Sequence, residues 1–179
     1  MQEVIMAGFG GQGVMSMGQL LTYAGMLESK GVAWMPSYGP EMRGGTANCT
    51  VVITDEEQVG SPIVSNPDTL IAMNYPSLVK FKDSIKAGGV LLYNSSLIEE
   101  EVESIDDVDI YPIPANEIAN ELGESRIANM VMLGAFIEKT HAVSIDSVLE
   151  SLKKVLPEKR HNLIPVNEKA LRKGAEMVK

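Results

Sequence analysis

Val4-Ile-Met-Ala-Gly-Phe-Gly-Gly-Gln-Gly13 is the stretch whose reading decides the fold class of this chain. An apolar run, Val4 to Ala7, enters four glycines within six positions, Gly8, Gly10, Gly11 and Gly13, and a helix-compatible stretch from Val14 to Ser29 follows. Strand, glycine turn and helix in that order are how an α/β protein presents backbone amides to an anion or a cofactor. The spacing is the G-x-G-x-x-G of dinucleotide-binding turns, but in an NAD site an acid after the second strand binds the ribose diol. Here the second strand reads as Val32 to Met35, followed by Pro36-Ser37-Tyr38-Gly39-Pro40, and the nearest acid, Glu28, precedes it. A complete NAD site is not expected. Three readings of the glycines stay open: a structural tight turn, a seat for a phosphate or carboxylate at the helix N-terminus, and a subunit contact.

Outward from the turn, strands and helices alternate. Thr46 to Thr54 is rich in β-branched residues, Thr69 to Met73 reads as a strand entering the loop Asn74-Tyr-Pro, and Gly89 to Tyr93 and Asp109 to Ile113 are further strands. Helices are expected over Ser77 to Lys86, stopped by Gly88-Gly89, and from Pro114 to about Leu122. Three more follow: Ala128 to Lys139, Ser144 to Val155 and Val166 to Met177, with Pro157 and Pro165 as punctuation. This order predicts a Rossmann-like three-layer α/β/α unit with a mainly parallel or mixed sheet and a helical C-terminal part. The expected organisation is a single domain over 1–179 with a helical appendage at about 126–179. The glycine motif, Pro36 to Gly45, Asn74 and Asn94 to Ser96 should then meet at the carboxyl ends of neighbouring strands, where open sheets place ligands.

Composition narrows the class. A chain of 179 residues is ample for a sizeable core. With 15 basic and 24 acidic side chains it carries a net charge of −9, which argues against a nucleic-acid scaffold. Residues 1–125 hold 5 basic and 18 acidic side chains, whereas 126–179 hold 10 and 6, so the last part is net positive. The seven acids between Glu99 and Asp109 read as a solvated rim, with a docking patch for a basic partner as the sharper alternative. No signal peptide and no long apolar segment is seen, so the expectation is a cytoplasmic protein with no membrane insertion. Cys49, the one cysteine, excludes a cysteine-ligated iron-sulfur or zinc site built from this chain. Its place among Thr46-Ala-Asn-Cys-Thr-Val-Val-Ile reads as a buried strand thiol rather than a nucleophile.

The second candidate block is Tyr38-Gly-Pro-Glu-Met-Arg-Gly-Gly45. Arg43 ahead of Gly44 and Gly45 joins a fork of donors to a backbone that a ligand or a neighbouring subunit can approach closely. The bland reading is a solvated arginine paired with Glu41. Catalytic machinery is scarce. His141 suits a helix C-terminus, His161 follows Lys159-Arg160, and neither lies at metal-ligand spacing from another ligand type. No G-x-S-x-G elbow occurs, and the Lys-Ser/Thr of a phosphate loop is missing after Gly13. Such a chain reads as one component of a larger catalyst.

Taken together, Gly8-Phe-Gly-Gly-Gln-Gly13, the Pro36 to Gly45 block with Cys49 in the next strand, Ser61-Pro62, Pro67-Asp68, Gly88-Gly89 and Asn129-Met-Val-Met-Leu-Gly134 carry a family likeness. The chain resembles, over nearly its whole length, the gamma subunit of the 2-oxoacid:ferredoxin oxidoreductases. It is most similar to the separate gamma chain of the 2-oxoglutarate and branched-chain 2-ketoacid enzymes.

The resemblance implies an enzyme that converts a 2-oxoacid, coenzyme A and oxidised ferredoxin to an acyl-CoA, carbon dioxide and reduced ferredoxin, or the reverse. It places thiamine diphosphate and Mg2+ in alpha and beta subunits, and 4Fe-4S clusters in beta or in a small ferredoxin-like delta subunit. The gamma chain is then inactive alone and serves coenzyme A binding and assembly. It implies a cofactor-binding role for Gly8, Gly10, Gly11, Gln12 and Gly13, with Gln12 as an adjustable amide. Tyr38, Arg43, Gly44 and Gly45 would meet a coenzyme A phosphate or an acidic group of a catalytic subunit. Because only the gamma region is present, pyruvate specificity is not implied. A stand-alone cofactor-binding or regulatory domain is the alternative, and an independent enzyme is disfavoured for want of a nucleophile, base or metal set.

Overall fold

A computed structural model describes residues 1–37, 47–56 and 59–179. Strand β1 (Gln2–Gly8) leads through the glycine turn into helix α1 (Val14–Leu27), followed by β2 (Gly31–Ser37), β3 (Ala47–Thr54) and β4 (Thr69–Ala72). Then come α2 (Tyr75–Phe81), β5 (Gly89–Asn94), β6 (Val108–Ile113) and α3 (Ala115–Glu121). The chain ends in α4 (Ala128–Thr140), α5 (Ile145–Val155) and α6 (Ile164–Glu176).

Period-two alternation along the strands sorts apolar side chains onto two faces. Val4 and Met6 of β1, Cys49, Val51 and Ile53 of β3, Ile71 of β4 and Leu92 of β5 face one core, with α1 and α4 above them. Ile5, Ala7, Val52, Leu70, Ala72 and Leu91 face the other, covered by Leu78 of α2 and by Val64 and Ile98 from connecting segments. The result is the expected three-layer α/β/α arrangement, with most of the helical mass on the first face. Helix α4 is buried nearly all round, as its run Asn129-Met-Val-Met-Leu-Gly134-Ala-Phe136 requires. It lies in the same apolar cluster as α1, Val148 of α5 and Leu171 of α6.

The six strands are ordered β2-β3-β1-β4-β5-β6. Pairs β1/β4, β4/β5 and β5/β6 are parallel, whereas β1/β3 and β2/β3 are antiparallel, so β3 is the one reversed strand. The reversal has a local cause. A parallel return needs a crossover of a dozen or more residues, usually a helix, and only nine residues separate Ser37 from Ala47. Lys86 fastens the opposite end of the sheet, donating to Glu3 at 2.5 Å and to Asp68 at 2.8 Å. Those two bonds, Asp68 foremost, hold its ammonium pKa above the usual range.

Helix α1 ends at Leu27, short of the expected Ser29, and the boundaries of α2 and α6 differ from the sequence reading for local reasons. Helix α2 begins at Tyr75 because the Asn74 side chain accepts from the Ser77 amide at 2.9 Å and acts as N-cap, with Pro76 inside the first turn. The same helix gives way to a 3-10 turn over Lys82–Ser84 instead of running to Lys86. Helix α6 begins at Ile164, so Pro165 sits in its first turn, where its missing amide is harmless, and a 3-10 turn over Glu158–Leu163 precedes it.

Candidate functional site

The carboxyl end of β1 is Gly8, paired with Ala47 at the start of the reversed β3, while Ser37 at the end of β2 pairs with Asn48. Next along the same edge come Asn74 after β4 and Asn94 at the end of β5, where Asn94 donates to Asn116 at 2.7 Å. The glycine turn, Asn74 and Asn94 therefore gather where the topology places a ligand. Tyr38, Glu41, Arg43, Gly44 and Gly45 lie outside the described residues. The chain on either side of them, Ser37 and Ala47, opens onto this edge.

Gln12 gives the glycine turn its shape. Its Oε1 accepts from the Phe9 amide at 2.6 Å and from Asn74 Nδ2 at 3.0 Å, and its Nε2 donates to the Met73 carbonyl at 3.2 Å. The amide is thus engaged on the turn itself and ties it to the segment after β4. A backbone bond from the Gln12 amide to the Phe9 carbonyl, 3.2 Å, closes the loop. Gly11 and Gly13 take left-handed conformations, φ 92° and 76°, that an L side chain resists. Gly8 is held by proximity instead: a Cβ there would lie 2.7 Å from Gln12 Oε1 and 2.9 Å from Met73 Cβ.

Gly13 is also the N-cap of α1, and having no side chain it leaves the first-turn amides uncapped. Asn129 on α4 donates to the Gly13 carbonyl at 3.3 Å and steadies the turn from the other side. The α1 N-terminus opens into a cavity of about 290 Å3 walled by Phe9, Gly10, Gly11, Met15, Ser16 and Ala47. Uncapped donors at the positive end of a 14-residue helix favour an anion in that space.

Cys49 sits beneath this turn, its Sγ 3.5 Å from the Val14 carbonyl. Burial pushes its thiol up to about 11, so at neutral pH it is protonated, in keeping with a structural strand thiol. His141 is the C-cap of α4 at φ 52°, and His161 Nε2 lies 3.0 Å from the Leu156 carbonyl. Among the described residues no group of three or more His, Cys, Asp or Glu side chains is placed to hold a metal ion, and no helix is long and apolar enough to cross a membrane. Of the turn's two supports, Asn74 was expected at this edge from sequence, though not its bond to Gln12, whereas Asn129 was not assigned to the site. The signal for Asn129 was its lead of an otherwise apolar helix.

A family model for pyruvate ferredoxin/flavodoxin oxidoreductase matches residues 3–177. The ketoisovalerate oxidoreductase subunit VorA of Methanothermobacter thermautotrophicus is 42% identical over 175 residues, covering 97% of this chain and 36% of its own length. The crystal structure of a keto/oxoacid ferredoxin oxidoreductase gamma subunit from Geobacter sulfurreducens matches with a TM-score of 0.83 at 28% identity, covering 99% of this chain and 98% of that one. The 2-oxoglutarate:ferredoxin oxidoreductase of Magnetococcus marinus, solved with 2-oxoglutarate, coenzyme A and succinyl-CoA bound, matches with a TM-score of 0.89 at 28% identity. That match covers 99% of this chain and 31% of the other, so the chain spans about a third of the length of two of these relatives. With the fold, the glycine turn and matches of both ketoisovalerate and 2-oxoglutarate type in agreement, the chain belongs to the pyruvate ferredoxin/flavodoxin oxidoreductase family, as a gamma-subunit member of the 2-oxoacid:ferredoxin oxidoreductases.

Proposed function

We propose that this chain, folded as one domain, is the coenzyme-A-handling gamma component of a cytoplasmic 2-oxoacid:ferredoxin oxidoreductase. The complex converts a 2-oxoacid, coenzyme A and oxidised ferredoxin to an acyl-CoA, carbon dioxide and reduced ferredoxin. Alpha and beta subunits, with a ferredoxin-like delta subunit, are its partners. They supply thiamine diphosphate with Mg2+ for decarboxylation and 4Fe-4S clusters for electron transfer.

The observation that carries this reading is the uncapped N-terminus of α1, held open by the Gln12 clamp beside a cavity that suits a phosphate group. It is supported by the relative from Magnetococcus marinus, a complex with coenzyme A bound. In this role Gly10, Gly11 and Gly13 let the backbone approach a phosphate and Gln12 and Asn129 fix the turn, while Tyr38, Arg43, Gly44 and Gly45, outside the described residues, are assigned to a coenzyme A phosphate or an acidic group of a catalytic subunit. The chain positions the cosubstrate, while bond making and breaking fall to the partners.

Purification of the native protein tests the proposal. Alpha and beta partners should co-purify, the isolated chain should be silent toward 2-oxoacids, and adding the partners should restore coenzyme-A-dependent ferredoxin reduction. Recovery without thiamine-dependent partners, or turnover by the chain alone, would overturn it in favour of a stand-alone domain or an independent enzyme.

A further inference from the structure

Of the three described arginines, Arg172 is paired with Glu168 at 2.8 Å, whereas Arg126 and Arg160 have no carboxylate partner among the described residues. Both line one groove of about 320 Å3 between the α4 side, reached through the 3-10 turn Ser125–Ile127, and the α5 to α6 segment. Its apolar wall includes Leu20, Met130, Leu152 and Val155. Two amides also line it, Asn129 and Asn167, only 8% and 7% exposed. Their Nδ2 groups donate to the Gly13 and Leu163 carbonyls, and their Oδ1 atoms have no donor among the described residues. Glu124 stands at the rim, with its Oε1 accepting from the Arg126 amide at 3.3 Å. Gly13 and Ser16 wall both this groove and the cavity over the glycine turn, so the two spaces flank the start of α1.

The two neighbouring spaces therefore offer anion seats of different kind, backbone amides in the cavity over the glycine turn and two guanidinium forks in the groove, which also has an apolar wall and amide acceptors. Coenzyme A has the matching order of groups: a diphosphate, then a ribose bearing a 3′-phosphate monoester and an adenine. Backbone amides at a helix N-terminus suit the diphosphate, and planar forks suit the monoester. The apolar wall receives the adenine, and the open amide oxygens accept from its amino group or the ribose hydroxyl.

Resting on the proposed coenzyme A role, we infer that this groove holds the 3′-phosphoadenosine end of coenzyme A, with Arg126 and Arg160 on the 3′-phosphate. The pantetheine arm then leaves over the glycine turn toward the open strand edge.

The test is the assembled complex with saturating 2-oxoacid and either coenzyme A or 3′-dephospho-coenzyme A varied, with the same two ligands titrated calorimetrically. Wild type should favour coenzyme A by roughly tenfold or more in KM, the worth of charge-assisted hydrogen bonds. The Arg126→Ala/Arg160→Ala variant should lose that preference by raising the KM for coenzyme A alone, with kcat and Tm unchanged, and lysine at both positions should restore part of it. Equal use of the two ligands by wild type, or equal weakening of both in the double variant, overturns the inference. If Gly13→Val raises both KM values while the arginine variant changes neither, the coenzyme A role stands and the groove assignment falls. If an assembled complex shows no effect of either change, or binds neither ligand, both fall.

Discussion

Gly134 on α4 and Gly174 on α6 meet at a helix crossing in which each bare Cα faces the other helix's backbone. A Cβ on Gly134 would lie 1.9 Å from the Leu171 carbonyl oxygen, and one on Gly174 would lie 1.8 Å from that of Val131. On an exposed helix surface Gly to Ala stabilises by about 1 kcal/mol through propensity. Here the helices must separate, so Gly134→Ala and Gly174→Ala should each destabilise by about 1–3 kcal/mol net. Urea midpoints at unchanged m-value measure this, and a neutral or stabilising outcome would contradict the close crossing.

Gln12 holds three partners with one amide, which separates acceptor from donor by substitution. Gln12→Glu keeps an acceptor for the Phe9 amide and Asn74 Nδ2 but has no donor for the Met73 carbonyl, and it adds a negative charge beside the proposed phosphate seat. It should fold with a loss of about 1 kcal/mol and raise the KM for coenzyme A by roughly tenfold. Gln12→Ala loses every side-chain bond and should be the less stable of the two. A Glu variant with wild-type coenzyme A kinetics would move the phosphate away from this turn.

These two relationships show where the sequence was legible and where it was not. Alternation within β1, β3, β4 and β5, and the glycine turn between β1 and α1, are local patterns, so sheet, layers and ligand edge could be read directly. The reversed β3 was legible in principle, since the nine residues between β2 and β3 are too few for a parallel crossover. Gln12 with Asn74 and Asn129 with Gly13 are different in kind, joining residues 62 and 116 positions apart. Gly174 lies in the charged segment Glu168-Lys-Ala-Leu-Arg-Lys-Gly174, where nothing nearby signals that a second backbone passes over it. Side-chain identity at one end of such a contact carries no information about the other end until the topology is known.

Cys49 yields a pH prediction with a definite sign. Burial raises its thiol from 9.0 to about 11, so the folded state holds the proton more tightly than the unfolded chain. The contribution is fully present below pH 9 and is lost as pH rises toward 11, by roughly 2–3 kcal/mol. Because Lys and Tyr groups titrate in the same window, the difference between wild type and Cys49→Ala isolates it. That difference should shrink or reverse between pH 8 and pH 11 by urea unfolding, and native Cys49 should resist alkylation at pH 8. Rapid alkylation of the folded protein would refute burial of the thiol.

Arg43 lies in a half of the chain short of basic residues, which makes an anionic partner for it the sharper reading. Arg43→Lys keeps the charge and loses the planar fork, and Arg43→Ala loses both. A bidentate contact predicts partial rescue by Lys, whereas long-range attraction predicts nearly full rescue. In the assembled complex a raised coenzyme A KM with intact assembly indicates the ligand, and failed assembly indicates a neighbouring subunit. Wild-type behaviour of Arg43→Ala in both respects would leave a solvated side chain, paired with Glu41.

Gly11 and Gly13 share a left-handed backbone but differ in surroundings, and that difference makes the glycine turn testable. Among the described residues no atom beyond the chain neighbours lies within 4 Å of a Cβ at Gly11, whereas one at Gly13 would sit 2.5 Å from Asn129 Nδ2. Gly11→Ala therefore carries backbone strain alone, about 1 kcal/mol, and leaves the turn in place. Gly13→Ala adds the clash and displaces the Asn129 bond to the Gly13 carbonyl, for a total of about 2–4 kcal/mol. Pairing each with Asn129→Ala gives two cycles. The Gly13 cycle should show a coupling of about 1 kcal/mol or more, because removing the asparagine relieves the clash, and the Gly11 cycle should be additive within about 0.5 kcal/mol. Val at either position should exceed Ala, since a β-branched side chain resists positive φ more strongly. Additivity in both cycles would mean that Asn129 does not pack on the turn, and the support assigned to it at the phosphate seat would have to be withdrawn.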